Sequence, residues 1–144
     1  MKKILVASHG SLASGIKSVA KILLRDDSAI TAVDCYLDES DPAEKISAFI
    51  DRVEPEDDAI IFTDLLGGSV CNTVTMMKPE ERGIIHVTGF NLAVVLECLI
   101  SAEPFTPESI DSIIAAGSTL MKRIEVDESL SPEDAEEESD DFFA

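Results

Sequence analysis

Apolar positions along this chain switch repeatedly between unbroken runs and helical spacing. Lys3 to Ser8 is an apolar run of strand length. From Ser11 to Leu24, residues Leu12, Ile16, Val19, Ala20, Leu23 and Leu24 recur at the spacing of one helix face. Asp26-Asp27-Ser28 breaks that pattern, and Ile30 to Tyr36 is rich in β-branched residues, which favour a second strand. Pro42 opens a second helix to about Arg52, with Ile46, Phe49 and Ile50 on one side. Ala59 to Thr63 is again continuous and apolar, as in parallel strands covered on both faces. After the break at Gly67-Gly68, Ser69 to Met77 reads as a helix, Gly83 to Thr88 as a fourth strand and Asn91 to Ser101 as a fourth helix. Thr106 is a fitting N-cap for a fifth helix running to about Lys122, and Ile124-Glu125-Val126 has the form of one last short strand. No internal repeat is present.

Strands alternating with helices imply βαβ units, a parallel sheet and right-handed crossovers, with helices on both faces. Four parallel strands in a chain of this length suggest an α/β, flavodoxin-like open sheet of order 2-1-3-4. Its switch point lies between strands one and three, where the functional crevice opens at the carboxyl ends. Strand one ends at His9 and strand three at Asp64. Neither residue entered the choice of strand order, yet the order brings both to one crevice.

Composition narrows the class. The chain has 144 residues, 45% apolar and 28% charged, enough for one domain with its own core. No apolar stretch approaches the roughly 20 residues that span a bilayer. Met1-Lys2-Lys3 runs straight into the first strand without a cleavage site of small residues, so a cytoplasmic protein is expected, with no signal peptide. Cys35, Cys71 and Cys98 are odd in number and lack metal-ligand spacing; reduced thiols are the simplest reading, and neither metal nor cofactor is expected.

The net charge is −18, but it is unevenly placed. Residues 125–144 hold ten acidic side chains and no basic one, whereas the first 124 hold 19 acids against 11 bases. A folded domain over 1–127 and an acidic, disordered tail over 128–144 are therefore expected. Phe142-Phe143 within the tail reads as an ordinary chain end ahead of the alternative, a docking element. Both sectors would repel a phosphate backbone, which argues against nucleic acid and for a basic protein partner.

The residues at the two strand ends carry the chemistry. They read Ala7-Ser8-His9-Gly10-Ser11 and Thr63-Asp64-Leu65-Leu66-Gly67-Gly68-Ser69-Val70-Cys71-Asn72. A carboxylate beside an imidazole accepts one ring N–H, fixes the tautomer and offsets positive charge as the other nitrogen attacks. Glycines ahead of a helix free backbone N–H groups to face an anion, and the helix N-terminus adds partial positive charge. His9 as nucleophile, Asp64 as its orienting group and Gly10, Gly67, Gly68 and Ser69 as phosphate-binding positions describe a phosphoryl acceptor. Ser11 and Asn72 are candidate supports. Other residues read as structural: His86 in mid-strand, Cys71 as a small buried residue, Met76, Met77 and Met121 as packing, and the acidic pairs Asp26-Asp27, Asp57-Asp58 and Glu80-Glu81 as solvated turns.

Over about residues 1–124 the chain resembles the enzyme IIA domains of mannose/sorbose-type bacterial sugar phosphotransferase systems. The resemblance rests on Ser8-His9-Gly10, on the Asp-x-x-Gly-Gly-Ser run from Asp64 to Ser69 closed by Asn72, and more softly on Gly89-Phe90-Asn91-Leu92. Val70 departs from members with proline after the serine, a change in turn stiffness more than chemistry. The resemblance implies that His9 takes a phosphoryl group from the phosphocarrier HPr and passes it to enzyme IIB; as no second domain follows the first, a separate enzyme IIB is expected. It implies that Asp64 binds the other ring nitrogen, that no metal is needed, and that the membrane components IIC and IID are reached only indirectly. It also implies a homodimer exchanging a last antiparallel strand, which would suit Ile124 to Val126.

Three alternatives share parts of this pattern. A phosphotransfer subunit serving dihydroxyacetone kinase has the fold and histidine, but that family's second loop lacks the Gly-Gly-Ser run. A regulatory phosphocarrier would use the same chemistry as a signal. A non-catalytic flavodoxin-like module holding a flavin or nucleotide phosphate would use the anion-friendly turns. It would leave His9 unexplained, and a chain with one Tyr and no Trp is expected to offer no aromatic near the crevice to stack a flavin.

Overall fold

The computed structural model describes residues 1–126, and the disorder expected of 128–144 and the Phe142-Phe143 pair lie outside them. Its elements follow the hydrophobic pattern: β1 (Lys2–His9), α1 (Leu12–Leu24), β2 (Ile30–Cys35), α2 (Pro42–Arg52), β3 (Asp58–Thr63), α3 (Ser69–Met76), β4 (Ile85–Thr88), α4 (Leu92–Ile100) and α5 (Pro107–Ser118). The four strands form a parallel sheet of order β2-β1-β3-β4, the flavodoxin-like order expected. A single 3-10 turn, Pro79–Arg82, leads into β4.

Alternation along the inner strands splits the core into two layers. Ile4, Val6, Ile60 and Phe62 face one side, where Ala13, Ile16 and Ala20 of α1, Val94, Val95 and Cys98 of α4 and Ile110 of α5 cover them. Leu5, Ala7, Ala59 and Ile61 face the other, against Ile46, Phe49 and Ile50 of α2 and Val70 and Val74 of α3. Successive strand side chains point to opposite faces, so a strand buried on both must be apolar throughout. Hence β1 and β3 read as unbroken runs.

Register sets the crevice. Ala7 pairs with Thr63 across β1 and β3, and His9 pairs with Cys35 across β1 and β2. The residues just past these pairs, Asp64 and Tyr36, therefore emerge on either side of His9 at one edge of the sheet.

The chain's end differs from expectation. Helix α5 stops at Ser118, short of Lys122: the Thr119 N–H bonds back to Ala116 O and Gly117 O, and Leu120 to Gly117 O. Beyond it Met121, Ile124 and Val126 are exposed, so further helix would bury nothing. In the single chain Ile124–Val126 form no strand among the described residues, and β4 is paired on one side only. The last turn of α5 is fixed onto the start of α4. Asn91 Nδ2 donates to Gly117 O at 2.9 Å, and a Cβ at Gly117 would lie 2.5 Å from Val94 Cγ2. Only glycine fits there.

Candidate functional site

The site is built from two strand-to-helix turns. Beta-strand β1 ends at His9, whose side chain is 42% exposed, while Asp64 just past β3 keeps only 9% of its side chain exposed. Asp64 Oδ2 accepts both the backbone N–H of His9 and its Nδ1, each at 2.8 Å. Asp64 Oδ1 accepts Leu65 N–H at 3.0 Å. One carboxylate thus holds the main chain and the ring of His9 together, and the Nδ1 contact makes Nε2 the nitrogen with a free lone pair. Burial pushes the Asp64 carboxyl up, but its bonds to the His9 backbone and ring, and the attraction of the imidazole, outweigh this and leave it below the ordinary aspartate range.

The free nitrogen faces α3. Ser69 Oγ lies 3.3 Å from His9 Nε2. Gly67 takes a left-handed φ of 75°, which glycine adopts without a Cβ clash. At Gly68 a Cβ would meet Leu65 Cβ and O at 3.2 Å and His9 Cε1 at 3.7 Å, so the missing side chain lets the loop lie against the imidazole. Asn72 Nδ2 donates to Gly67 O at 3.1 Å, bracing that loop from behind. The N–H groups of Ser69, Val70 and Cys71, in the first turn of α3, have no acceptor among the described residues.

The other turn is arranged differently. The Gly10 N–H, expected to face a phosphate, is donated to Cys35 O at 2.9 Å. Ala13 N–H goes to Ser8 Oγ at 2.8 Å and Ser14 N–H to Asp34 Oδ1 at 2.9 Å. Ser11 forms the cap position without a side-chain cap bond, and its carbonyl accepts from Gly15 N and Ser14 Oγ. The structure thus brings His9, Asp64, Gly68 and Ser69 together, sets Gly67 and Asn72 in the supporting loop, and turns the Gly10 amide and Ser11 carbonyl inward.

Tyr36 was not foreseen at the crevice. Its ring centroid lies 5.3 Å from that of His9 at an interplanar angle of 44°, and its hydroxyl donates to Ser69 Oγ at 2.8 Å. An aromatic group does therefore border the crevice. Reading β2 through Tyr36 hid this; the strand stops at Cys35, and Tyr36 turns with φ 68°. Applying the strand-end rule to β2 as well as β1 and β3 would have found it. His86 is structural: Nε2 lies 2.8 Å from Thr63 Oγ1, and burial lowers its pKa against a weaker opposite pull from Glu80. Cys71 is buried behind the loop.

A doubly covered parallel sheet with an aspartate-held histidine at its switch point defines an α/β domain equipped for chemistry at an exposed imidazole. The model of the EIIA-man family, PTS system fructose IIA component, matches residues 3–116, and the chain belongs to that family, whose role is phosphotransfer. Solved structures agree. A protein of Klebsiella pneumoniae subsp. pneumoniae, assigned as a phosphoenolpyruvate-dependent sugar phosphotransferase system permease, is 26% identical, with a TM-score of 0.75 over 85% of this chain and 90% of that one. The mannose/sorbose specific IIA subunit from Enterococcus faecalis shares the fold at 24% identity, with a TM-score of 0.74 over 91% of this chain and 100% of that one. So does the PTS IIA protein associated with the fucose utilization operon of Streptococcus pneumoniae, at 22% identity and a TM-score of 0.72 over 85% and 92% of the two chains. No curated protein sequence matches significantly. Among the described residues, no helix is long and apolar enough to cross a membrane.

Proposed function

We propose that this chain is a cytoplasmic phosphoryl carrier of a mannose/sorbose-type sugar phosphotransferase system, accepting the group from phospho-HPr on His9 and passing it to enzyme IIB. The observation that carries this reading is the division of labour on one imidazole: Nδ1 is held by Asp64 at 2.8 Å while Nε2 faces Ser69 at 3.3 Å on an exposed edge.

The step is an in-line displacement. The Nε2 lone pair forms a bond to phosphorus as the phosphorus–nitrogen bond of the donor's phosphohistidine breaks, and that electron pair leaves with the donor nitrogen. Asp64 keeps the Nδ1 proton in place and offsets the positive charge that develops on the ring. The Ser69 hydroxyl and the first-turn amides of α3 supply donors for the equatorial oxygens, since positioning and electrostatics carry phosphoryl transfer. Transfer to enzyme IIB is the same step reversed, so His9 is phosphorylated only between encounters.

Partners have a surface to meet. Leu12, Tyr36, Leu37, Leu65 and Leu66 are exposed and sit just after the strand ends that form the crevice. Asp38, Glu39 and Asp41 follow β2 at the same edge, which suits partners whose apolar contact is flanked by basic groups. Assembly as a homodimer, with Ile124–Val126 of each copy added to the open side of the other's β4, would cover an otherwise unpaired edge. Contact with membrane IIC and IID components would then be indirect, through IIB.

Incubation with enzyme I, HPr and phosphoenolpyruvate is expected to put one acid-labile phosphate on His9. His9→Ala is expected to abolish the labelling; label persisting on another residue would sink the proposal.

A further inference from the structure

Tyr36 touches both His9 and Ser69, yet the transfer step described above gives it no part. We infer that Tyr36 is a positioning residue: its hydroxyl fixes the direction in which Ser69 presents its proton, and through Ser69 it governs the free nitrogen of His9. The inference rests on the reading of His9 as the phosphoryl carrier.

A serine hydroxyl has one proton and two lone pairs, and it rotates to suit its neighbours. Here its neighbours leave it one choice. Asp64 holds His9 through Nδ1, so in the neutral imidazole that attacks, Nε2 accepts, and the Ser69 proton must point toward it to bond. Tyr36 Oη donates to Ser69 Oγ at 2.8 Å, engaging a serine lone pair and leaving the proton for His9. The donors therefore run one way, from Tyr36 to Ser69 to His9. Once Nε2 carries a phosphoryl group, the same proton meets a phosphoryl oxygen, again an acceptor. The serine need not reorient between the two states, and a preset donor is the kind that stabilises a transition state most.

The backbone gives an independent reason to take the placement seriously. Tyr36 adopts φ 68°, in the left-handed region that bulky side chains avoid. Its residue remains 56% exposed, so burial of the ring does little to offset that strain. What the conformation achieves is the contact itself: the ring beside the imidazole at 5.3 Å and the hydroxyl on Ser69. Strain kept at a reactive group is an indication of function.

Tyr36→Phe keeps the ring and removes the hydroxyl. Single-turnover labelling from phospho-HPr would compare the wild-type chain, Tyr36→Phe, Ser69→Ala and the double variant. Tyr36→Phe is expected to slow transfer about threefold to tenfold, the scale of one lost hydrogen bond, and to add nothing in the Ser69→Ala background. A wild-type rate for Tyr36→Phe, or a loss that persists without Ser69, would overturn the inference. Nitrogen NMR of the unphosphorylated imidazole reads the same bond without any donor protein. Tyr36→Phe should move the Nε2 resonance, leave Nδ1 in place, and have no effect once Ser69 is alanine; an unmoved Nε2 removes the relay. If the wild-type chain takes no label on His9, the carrier reading falls and the role of Tyr36 in transfer falls with it. The imidazole spectra then decide the Tyr36–Ser69–His9 bond on its own.

Discussion

The two turns that meet at His9 do opposite things with their backbone donors. After β1, the Gly10, Ala13 and Ser14 N–H groups are all taken, by Cys35 O, Ser8 Oγ and Asp34 Oδ1. After β3, the first-turn N–H groups of α3 have no acceptor among the described residues, because the N-cap residue, Gly68, has no side chain to accept them. One turn has most of its donors taken and presents a nucleophile; only its Ser11 and Leu12 N–H groups lack an acceptor among the described residues. The other is open and presents donors. The difference shows that a glycine-containing strand-to-helix turn is not by itself an anion site. The site lies where the helix start is left uncapped.

The carboxylate shared by both turns should matter most. Asp64→Asn keeps the shape but replaces an acceptor that binds the His9 backbone and ring, so transfer from phospho-HPr should fall about 100-fold with the far-ultraviolet dichroism unchanged. An unaltered rate would remove Asp64 from the mechanism. Gly68→Ala attacks only the open turn: its Cβ would crowd Leu65 and approach His9 Cε1. About a tenfold loss of single-turnover rate is expected, with little change in thermal midpoint. Ser8→Ala attacks only the turn after β1, leaving the Ala13 N–H without its 2.8 Å partner. It should cost about 1 kcal/mol of stability in urea unfolding and leave the transfer rate unchanged. Equal damage to transfer from the Gly68 and Ser8 variants would erase the contrast between the turns.

The smallest effect is in acid. The folded Asp64 carboxyl titrates below its ordinary value. Its contribution to stability is complete above the unfolded value of about 4 and is lost as pH falls through the folded one. Unfolding curves below about pH 4 should therefore fall less steeply for Asp64→Asn than for the wild-type chain. Parallel curves would mean that the carboxyl is not held as described.

Much of this was legible beforehand because it depends on periodicity. The unbroken runs of β1 and β3 gave the doubly covered sheet, and the sheet gave the meeting of His9 and Asp64. What was not legible depends on single backbone angles and on donors already spoken for. Tyr36 reads as one more strand residue until φ 68° turns it toward Ser69. The Gly10 amide reads as free until the parallel pairing of β1 with β2 brings Cys35 O within 2.9 Å. The end of α5 depended on the absence of anything to pack against beyond Ser118, which local propensity does not record.

The bond from Asn91 to Gly117 has a consequence beyond packing. Asn91 caps α4 just after the carboxyl end of β4, so α5 finishes at the same edge of the sheet that bears His9. Ser118 is thereby held at the edge of the sheet that bears His9, and the described residues that follow, 119–126, leave the domain there.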